Sequence, residues 1–455
     1  MQILSPKISF LIVPFTLLFG HLLIKYNYGG RLKSLPFLWV NLGDNMKKII
    51  LLLLNVCFIF TLTNLCLAGR FEKSGEYYRY FEDNGSVARN QIIEYDRKRY
   101  YVNDEGYAVF NSWVESDGDM YYAGNDGTFK TDGVYEIDGY KYYLDSAGKL
   151  QKGWCGEDDL YYGDLEDGFL VNGFQELEIP KGWVTEVDKE KTGWFYFDTN
   201  SNKRVFSDDD PYISKMIGSR RYCFDQNGIM RTGWRLMKET EPAMRGWMYF
   251  VEDSSDEFKF GEAVTDTWYS IEPPAEVLPG AEVRYFYFNG QGQPRTAPVG
   301  KYQKVRLGEK TYLFNEYGFA VYGVQQVNGD YYYFGPSVQD CSMKTGYINK
   351  DIDGTNDGAS YYFEGDGRGV TGIYNNKLYY KGKLQMASVE QKYAGFDVGG
   401  RVYLVNTSGT ILKNRKKIKD GDGSEWSTNS SGMVTYKDDD ADYTTPVPPE
   451  LSSDR

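Results

Sequence analysis

The residues best equipped for chemistry in this chain are aromatic. Tyr occurs 41 times, Phe 26 times and Trp 9 times. Five tryptophans, Trp154, Trp183, Trp194, Trp234 and Trp247, directly follow a glycine. Indole and phenol rings attract cations over their faces and pack against the C–H faces of sugars, which is the chemistry of recognition rather than of bond making. Bond-making groups are sparse. The single histidine is His21, so the chain beyond residue 68 has none for a triad, a zinc site or a proton shuttle. Beyond Cys57 and Cys66 the cysteines are Cys155, Cys223 and Cys341, an odd number at distant sites with no Cys-x-x-Cys spacing. Asp353-x-Thr355-x-Asp357-Gly358, with Glu364 six residues on, follows a calcium-loop spacing except at Thr355. Its flanks read as strands, so a solvated turn is expected there, and Asp353, Asp357 and Glu364 stand only as weak metal candidates. Asp420-Gly421-Asp422-Gly423 is a weaker signal of the same kind. No spacing singles out a carboxylate pair for hydrolysis. No cofactor and no catalytic residue are expected.

The elements that must position these rings repeat. Tyr100-Tyr101 leads to Gly106, Tyr121-Tyr122 to Gly127, Tyr142-Tyr143 to Gly148 and Tyr161-Tyr162 to Gly168. The phrase returns at Tyr222-Cys223-Phe224 to Gly228, Tyr312-Leu313-Phe314 to Gly318 and Tyr361-Tyr362-Phe363 to Gly367. Within one unit, Tyr140, Tyr142 and Leu144 alternate with Lys141 and Tyr143, the period of a strand. Asp145-Ser146-Ala147-Gly148 is a turn, Leu150 opens a return strand and Gly153-Trp154 closes it. Each unit is therefore a β-hairpin. A lone hairpin is marginal in water, so the units must stack. The fold class expected is all-β: a solenoid of stacked short hairpins with a repeat of about 20 residues. In it most tyrosines are core, and the Gly-Trp rings are the better candidates for ligand contact.

The repeat resembles the cell-wall-binding repeats of Gram-positive surface proteins, also called choline-binding repeats and similar to those of clostridial toxin tails and glucan-binding proteins. Arg221-Tyr222-Cys223-Phe224 through Gly228 to Gly233-Trp234 carries the resemblance. So do Gly182-Trp183 with Gly193-Trp194-Phe195-Tyr196-Phe197, and Gly246-Trp247-Met248-Tyr249-Phe250. The likeness covers about residues 75–435. It implies aromatic cages for a quaternary ammonium between adjacent hairpins. Carried onto this chain, Trp183, Trp194 and Tyr222 would form one cage, Trp234 and Trp247 another, and Trp154 with Tyr161 a third, with Tyr196 and Tyr249 from the same phrases. Most repeats depart from the pattern: Phe174, Tyr347 and Ile373 occupy the tryptophan slot after Gly173, Gly346 and Gly372. Sugar rings suit such grooves at least as well as choline does. The implied partner is a cell-wall polymer, either choline-bearing teichoic acid or a glycan, held non-covalently by many weak sites. The alternatives are an adhesin or toxin-like subunit binding host glycans or a protein, and a wall hydrolase hidden in residues 174–284.

The remaining segments bound the setting. Met46-Lys47-Lys48, the apolar run Ile49 to Phe60 and Cys66-Leu67-Ala68 form a signal-peptide pattern with cleavage after Ala68. Residues 1–45 contain a second apolar run, Ile8 to Ile24. Translation starting at Met46 and a membrane hairpin of the two runs both stand, and both place the repeats outside the cell. The membrane is then a partner only through an uncleaved leader, and the expected location is the cell surface. The first 68 residues hold six Lys or Arg and one acid, so the remainder has 45 basic and 63 acidic residues, a net of −18. That balance repels phosphate backbones and excludes nucleic acid as a partner. Irregular stretches interrupt the repeat at 174–192 and 254–284. Residues 437–455, acidic and proline-containing, read as a disordered tail.

Overall fold

The structure, a computed structural model, describes residues 25–28, 31–34 and 69–452 apart from 184, 186–189 and 256–258. The signal-peptide pattern at 46–68 lies outside the described residues. So does the upstream extension, save for a short antiparallel pair, Lys25–Tyr28 with Arg31–Ser34. The described residues are strands, turns and two 3₁₀ segments, Glu157–Asp159 and Ala243–Gly246, with no α-helix among them. No described helix is long and apolar enough to cross a membrane.

The sheets are mostly two-stranded antiparallel hairpins. Local chemistry explains them. Gly133–Ile137 pairs with Tyr140–Leu144 across Asp138 and Gly139, whose φ angles are 52° and 83°. Two positive φ values make a type I′ turn, whose twist matches that of the flanking strands and which selects Asp-Gly. The second turn of the unit is closed by a side chain: Asp145 Oδ1 accepts the Ala147 and Lys149 amides at 2.9 and 2.8 Å.

The chain divides into two compact units, 1–131 and 132–455. In the first, the hairpins Arg70–Ser74/Tyr77–Phe81, Gln91–Tyr95/Lys98–Val102 and Ser112–Ser116/Asp119–Ala123 follow one another. The residue after each second turn reaches back to the preceding hairpin. The Ala108 amide donates to the Tyr78 carbonyl at 2.8 Å, and the Phe129 amide donates to the Arg99 carbonyl at 2.9 Å. In the second unit the same link recurs from Leu170 to Lys141 at 2.7 Å and from Ala263 to Arg221 at 2.8 Å. Turn glycines fit the same joint. A Cβ on Gly168 would lie 2.8 Å from Leu150 Cδ2 of the hairpin before, and Gly168 also has φ +77°. Apolar residues pack in a chain of small clusters, the largest around Phe286, Phe288, Leu313 and Phe334.

The irregular stretches are hairpins with long loops. Gly173–Glu178 pairs with Thr192–Phe197, and Trp268–Ile271 pairs with Arg284–Tyr287. Trp268 is packed inside the array. Its ring lies between neighbours, 4.6 Å from both Tyr285 and Tyr312 and 5.8 Å from Phe314.

Residues 437–452 are hydrogen-bonded, in contrast to the disorder their composition predicts. Tyr443–Thr444 pairs in parallel with Gly395–Phe396. The Val447 amide and carbonyl both bond the Gln385 side chain at 2.9 Å. The Glu450 amide donates to Asp353 Oδ2 at 3.1 Å, and the Ser452 hydroxyl oxygen accepts the Val324 amide at 2.9 Å. The segment runs back along the second unit as a strap. Backbone ladder bonds and buried side-chain acceptors supply what its polar composition lacks in apolar surface.

Candidate functional site

Two of the Gly-Trp tryptophans occupy equivalent frames. Trp154 sits across from Tyr162 in a short hairpin, ring to ring at 5.3 Å, and packs on Phe195 at 4.9 Å and Phe197 at 6.0 Å of the following hairpin. Its indole N–H donates to the Glu178 carbonyl at 2.9 Å. Trp234 repeats the frame. Tyr249 lies across from it at 5.4 Å, Phe286 and Phe288 lie at 5.4 and 5.7 Å, and its N–H donates to the Glu272 carbonyl at 2.8 Å. In each case the indole bonds the end of the first strand of a long-loop hairpin, at its last residue, Glu178, or one residue beyond it, Glu272. The long loops therefore set the tryptophan rings.

The two frames differ in what fills them. At the first, Trp183 lies 5.4 Å from Trp154, and the Arg204 guanidinium stands 4.7 Å over the Trp183 ring and 5.9 Å from that of Trp154. Arg204 donates to the carbonyls of Asp158 at 2.9 Å, Asp159 at 3.3 Å and Asn227. Burial lowers its pKa against the pull of Asp159 and Asp225, yet an arginine so placed stays charged at ordinary pH. This box holds a cation supplied by the chain itself.

At the second frame the corresponding space is an open groove of about 400 Å³. Trp234, Trp247 and Tyr249 line it, together with Glu252, Glu272 and Glu276. The 233–250 hairpin puts Trp234, Leu236, Trp247 and Tyr249 on one face by strand alternation. Tyr249 is 5% and Trp247 8% exposed, so the rings are fixed by the core beneath them. The Tyr249 hydroxyl donates to Glu252 Oε2 at 3.1 Å, and burial followed by Glu252 pushes its pKa well up, which keeps it a neutral donor. Arg235, the one basic residue in the lining, has its guanidinium 5.5 Å over the Tyr212 ring and donates Nη1 to the Trp234 carbonyl at 2.9 Å. Cation–π attraction and charge are the forces by which an aromatic wall with a carboxylate rim can attract a bulky cation.

The other expected groupings form differently. Trp154 faces Tyr162 rather than Tyr161, because Tyr161 stands opposite Cys155 on the alternate face and stacks on Tyr143 at 5.8 Å. Trp183, Trp194 and Tyr222 do not make one cage. Trp194 lies across from Glu176 and is 38% exposed, on the strand face opposite Phe195 and Trp183. Tyr196 and Tyr222 meet instead around Phe174, at 5.0 and 4.8 Å. The Tyr222 hydroxyl donates to Glu262 at 3.3 Å, and burial with Glu262 pushes its pKa up to about 12.

The calcium-like loop carries an internal cation. Lys383 Nζ lies 2.9 Å from Asp353 Oδ2, 2.7 Å from Asp357 Oδ2 and 3.0 Å from Thr355 Oγ1. The Tyr361 hydroxyl donates to Asp353 Oδ1 at 2.7 Å. An ammonium thus sits where the spacing suggested a metal; the Lys383 and Asp353 side chains are buried, 4% and 0% exposed, while the rest of the turn is open to solvent, the Asp357 side chain being 44% exposed. Among the described residues no group of three His, Cys, Asp or Glu is arranged to hold a metal. Asp420 is a turn cap that accepts the Asp422 and Ser424 amides and, through Oδ2, the Trp426 indole at 2.8 Å. Cys155, Cys223 and Cys341 are buried and form no disulfide. Burial pushes the Cys155 thiol up to about 12 and Cys341 up to about 11, which makes them inert near neutrality. The carboxylates beside Trp234 carry no sequence pattern. Only the break at 254–284, with Pro273-Pro274, pointed toward them.

No family model and no curated protein matches the chain. Among solved structures it is similar to CbpJ from Streptococcus pneumoniae TIGR4, at 21% identity over 71% of this chain and 99% of that one, with a TM-score of 0.38. It is similar to choline binding protein F from Streptococcus pneumoniae, at 22% identity over 76% and 98% of the two chains, with a TM-score of 0.36. It is also similar to the multimodular pneumococcal cell wall endolysin from phage Cp-1 solved with choline, at 19% identity over 36% and 37%, with a TM-score of 0.21.

Proposed function

We propose that this chain is an exported, non-catalytic binding protein. Its hairpins stack as a solenoid and attach it non-covalently to a cell-surface polymer that carries quaternary ammonium groups, such as choline-bearing teichoic acid. The groove of Trp234, Trp247, Tyr249, Glu252, Glu272 and Glu276 carries this proposal. Three rings and a carboxylate rim match a cation too bulky and too weakly hydrated to prefer water. Each ring contributes about 0.5–2 kcal/mol according to how far the cation is desolvated. One groove of this kind is a weak site, and attachment to a polymer gains by linkage of several.

Titration of tryptophan fluorescence with free choline tests the proposal. We expect a saturable change that Trp234→Ala abolishes, together with retention of the unaltered protein on choline resin and elution by free choline. A flat titration would sink the quaternary-ammonium reading. Release of sugar from purified walls by the protein would overturn the non-catalytic part.

A further inference from the structure

Two tyrosines stack face to face at the surface. The rings of Tyr362 and Tyr374 lie 3.8 Å apart between centroids and 23° from parallel, and their hydroxyls share a hydrogen bond. By comparison Tyr143 and Tyr161 stack at 5.8 Å, and Tyr77 and Tyr107 lie at 5.2 Å. The backbone sets the close pair. Tyr362 is in the strand Tyr361–Phe363. The turn after it is closed by the Gly367 amide donating to the Glu364 carbonyl at 2.9 Å and the Val370 amide donating to the Tyr362 carbonyl at 3.1 Å. Tyr374 ends the strand Gly372–Tyr374, where Asn375 and Asn376, at φ 48° and 61°, turn the chain back into Lys377–Tyr380.

The pair is both anchored and within reach of solutes. Tyr374 is 42% exposed and Tyr362 is half-buried. Tyr362 lies 6.2 Å from Tyr379, which is only 2% exposed, and across the strand pairing from Tyr347, which is 57% exposed. Aromatic pairs usually settle with centroids about 4.5–7 Å apart, offset or edge to face, so a separation of 3.8 Å means direct overlap of the two rings. Because the hydroxyls meet at one end of the stack, the ring carbons beside them, the Cε atoms, lie over one another. Those are the carbons that carry the unpaired electron once a phenol has lost an electron and a proton.

We propose that Tyr362 and Tyr374 are a site of oxidative modification, at which a dityrosine bond joins the strands Tyr361–Phe363 and Gly372–Tyr374. The oxidant it requires is hydrogen peroxide acting through a haem peroxidase, one electron at a time. Each phenol gives up one electron and its hydroxyl proton and becomes a phenoxyl radical. The two radicals pair their electrons in a new bond between Cε atoms. Each of those carbons then releases its hydrogen as a proton, and each oxygen takes one up. Two phenols and one hydrogen peroxide thus become one biphenol and two waters. Stacking supplies the advantage, because the second ring is already in place and needs no diffusional encounter. The joined strands are not ladder neighbours, since Lys383–Leu384 and Lys377–Tyr380 stand between them in the sheet, so the bond ties segments that no backbone pairing connects. This inference does not depend on choline binding.

Treatment of the dilute full chain with a haem peroxidase and hydrogen peroxide tests it. We expect the blue fluorescence of dityrosine in the monomer and, after digestion, a peptide pair linked through Tyr362 and Tyr374. Tyr374→Phe keeps a ring in the stack but cannot form the second phenoxyl radical. It should lower the monomer's dityrosine fluorescence about tenfold, because the remaining tyrosines must meet by chance motion. Before oxidation the same variant should keep the Tm and the choline titration of the unaltered protein. Equal fluorescence from the variant, linkage of Tyr362 to Tyr347 instead, or links spread over other tyrosines overturns the inference. If Tyr374→Phe fails to fold, the peptide map of the unaltered protein decides. A Tyr362–Tyr374 link supports the site, and its absence overturns it.

Discussion

Lys383 shows how one side chain decides the chemistry of a loop. Burial alone would raise the Asp353 pKa, but hydrogen bonds from Thr355, Lys383 and Tyr361 outweigh it and hold the carboxyl well below the usual range. Burial would lower Lys383, but Asp357 and Asp353 outweigh that and raise it. The lowered acid stabilises the fold above the ordinary carboxylate pKa, and that stability is lost as pH falls through its folded value. The raised base stabilises the fold below the ordinary lysine pKa, and that stability is lost as pH rises through its folded value. Their contribution is therefore flat from about pH 5 to 9. Lys383→Met should cost about 3–5 kcal/mol at neutral pH by leaving a buried carboxylate unpaired. Burial then raises Asp353, so the variant should recover part of its loss toward about pH 4.5, opposite in sign to the unaltered protein. Urea midpoints at the two pH values check this, and a loss independent of pH would contradict it. Acid spacing made the loop visible in the sequence, but Lys383 lies 30 residues from Asp353 and belongs to no motif.

At the scale of the hairpin, glycine serves two separable ends. Gly139 and Gly168 both have positive φ, but a Cβ on Gly139 meets nothing within 4 Å whereas one on Gly168 meets Leu150 at 2.8 Å. Gly139→Ala should cost about 1 kcal/mol, for backbone strain alone. Gly168→Ala should cost a further 1–3 kcal/mol or so, because it overpacks the joint between hairpins. Thermal melts of the two variants measure the difference, and equal losses would show that the joint yields freely. The hairpins were legible because turns such as Asp145 to Gly148 and alternating tyrosines are local signals. The grouping of Trp183, Trp194 and Tyr222 was not. Ring partnership depends on strand register and on which face the long loop covers, and Phe195 takes the inner face that Trp194 would have needed. Trp234, Trp247 and Tyr249 came together because a single hairpin register aligns them.

At the scale of the whole molecule, composition misled most about residues 437–452. Their acidity and prolines give no apolar reason to order, yet a parallel ladder, the Gln385 amide and the buried Asp353 carboxylate bind them. Removing residues 441–455 should cost about 3–6 kcal/mol for roughly six hydrogen bonds. Urea unfolding of the truncated chain measures it, and an unchanged midpoint would mean that the strap rests on the surface without holding it. The strap also imposes an order of assembly. Joints between hairpins close over about 30 residues of chain, as from Tyr78 to Ala108, so hairpins can form one after another during synthesis, without waiting for the rest. The bonds of the strap span 62, 97 and 128 residues, from Val447 to Gln385, Glu450 to Asp353 and Ser452 to Val324. They can close only when every hairpin from 324 onward is already in register, so the strap acts as a late proofreading step that rewards a correctly built array and has nothing to grip on a slipped one.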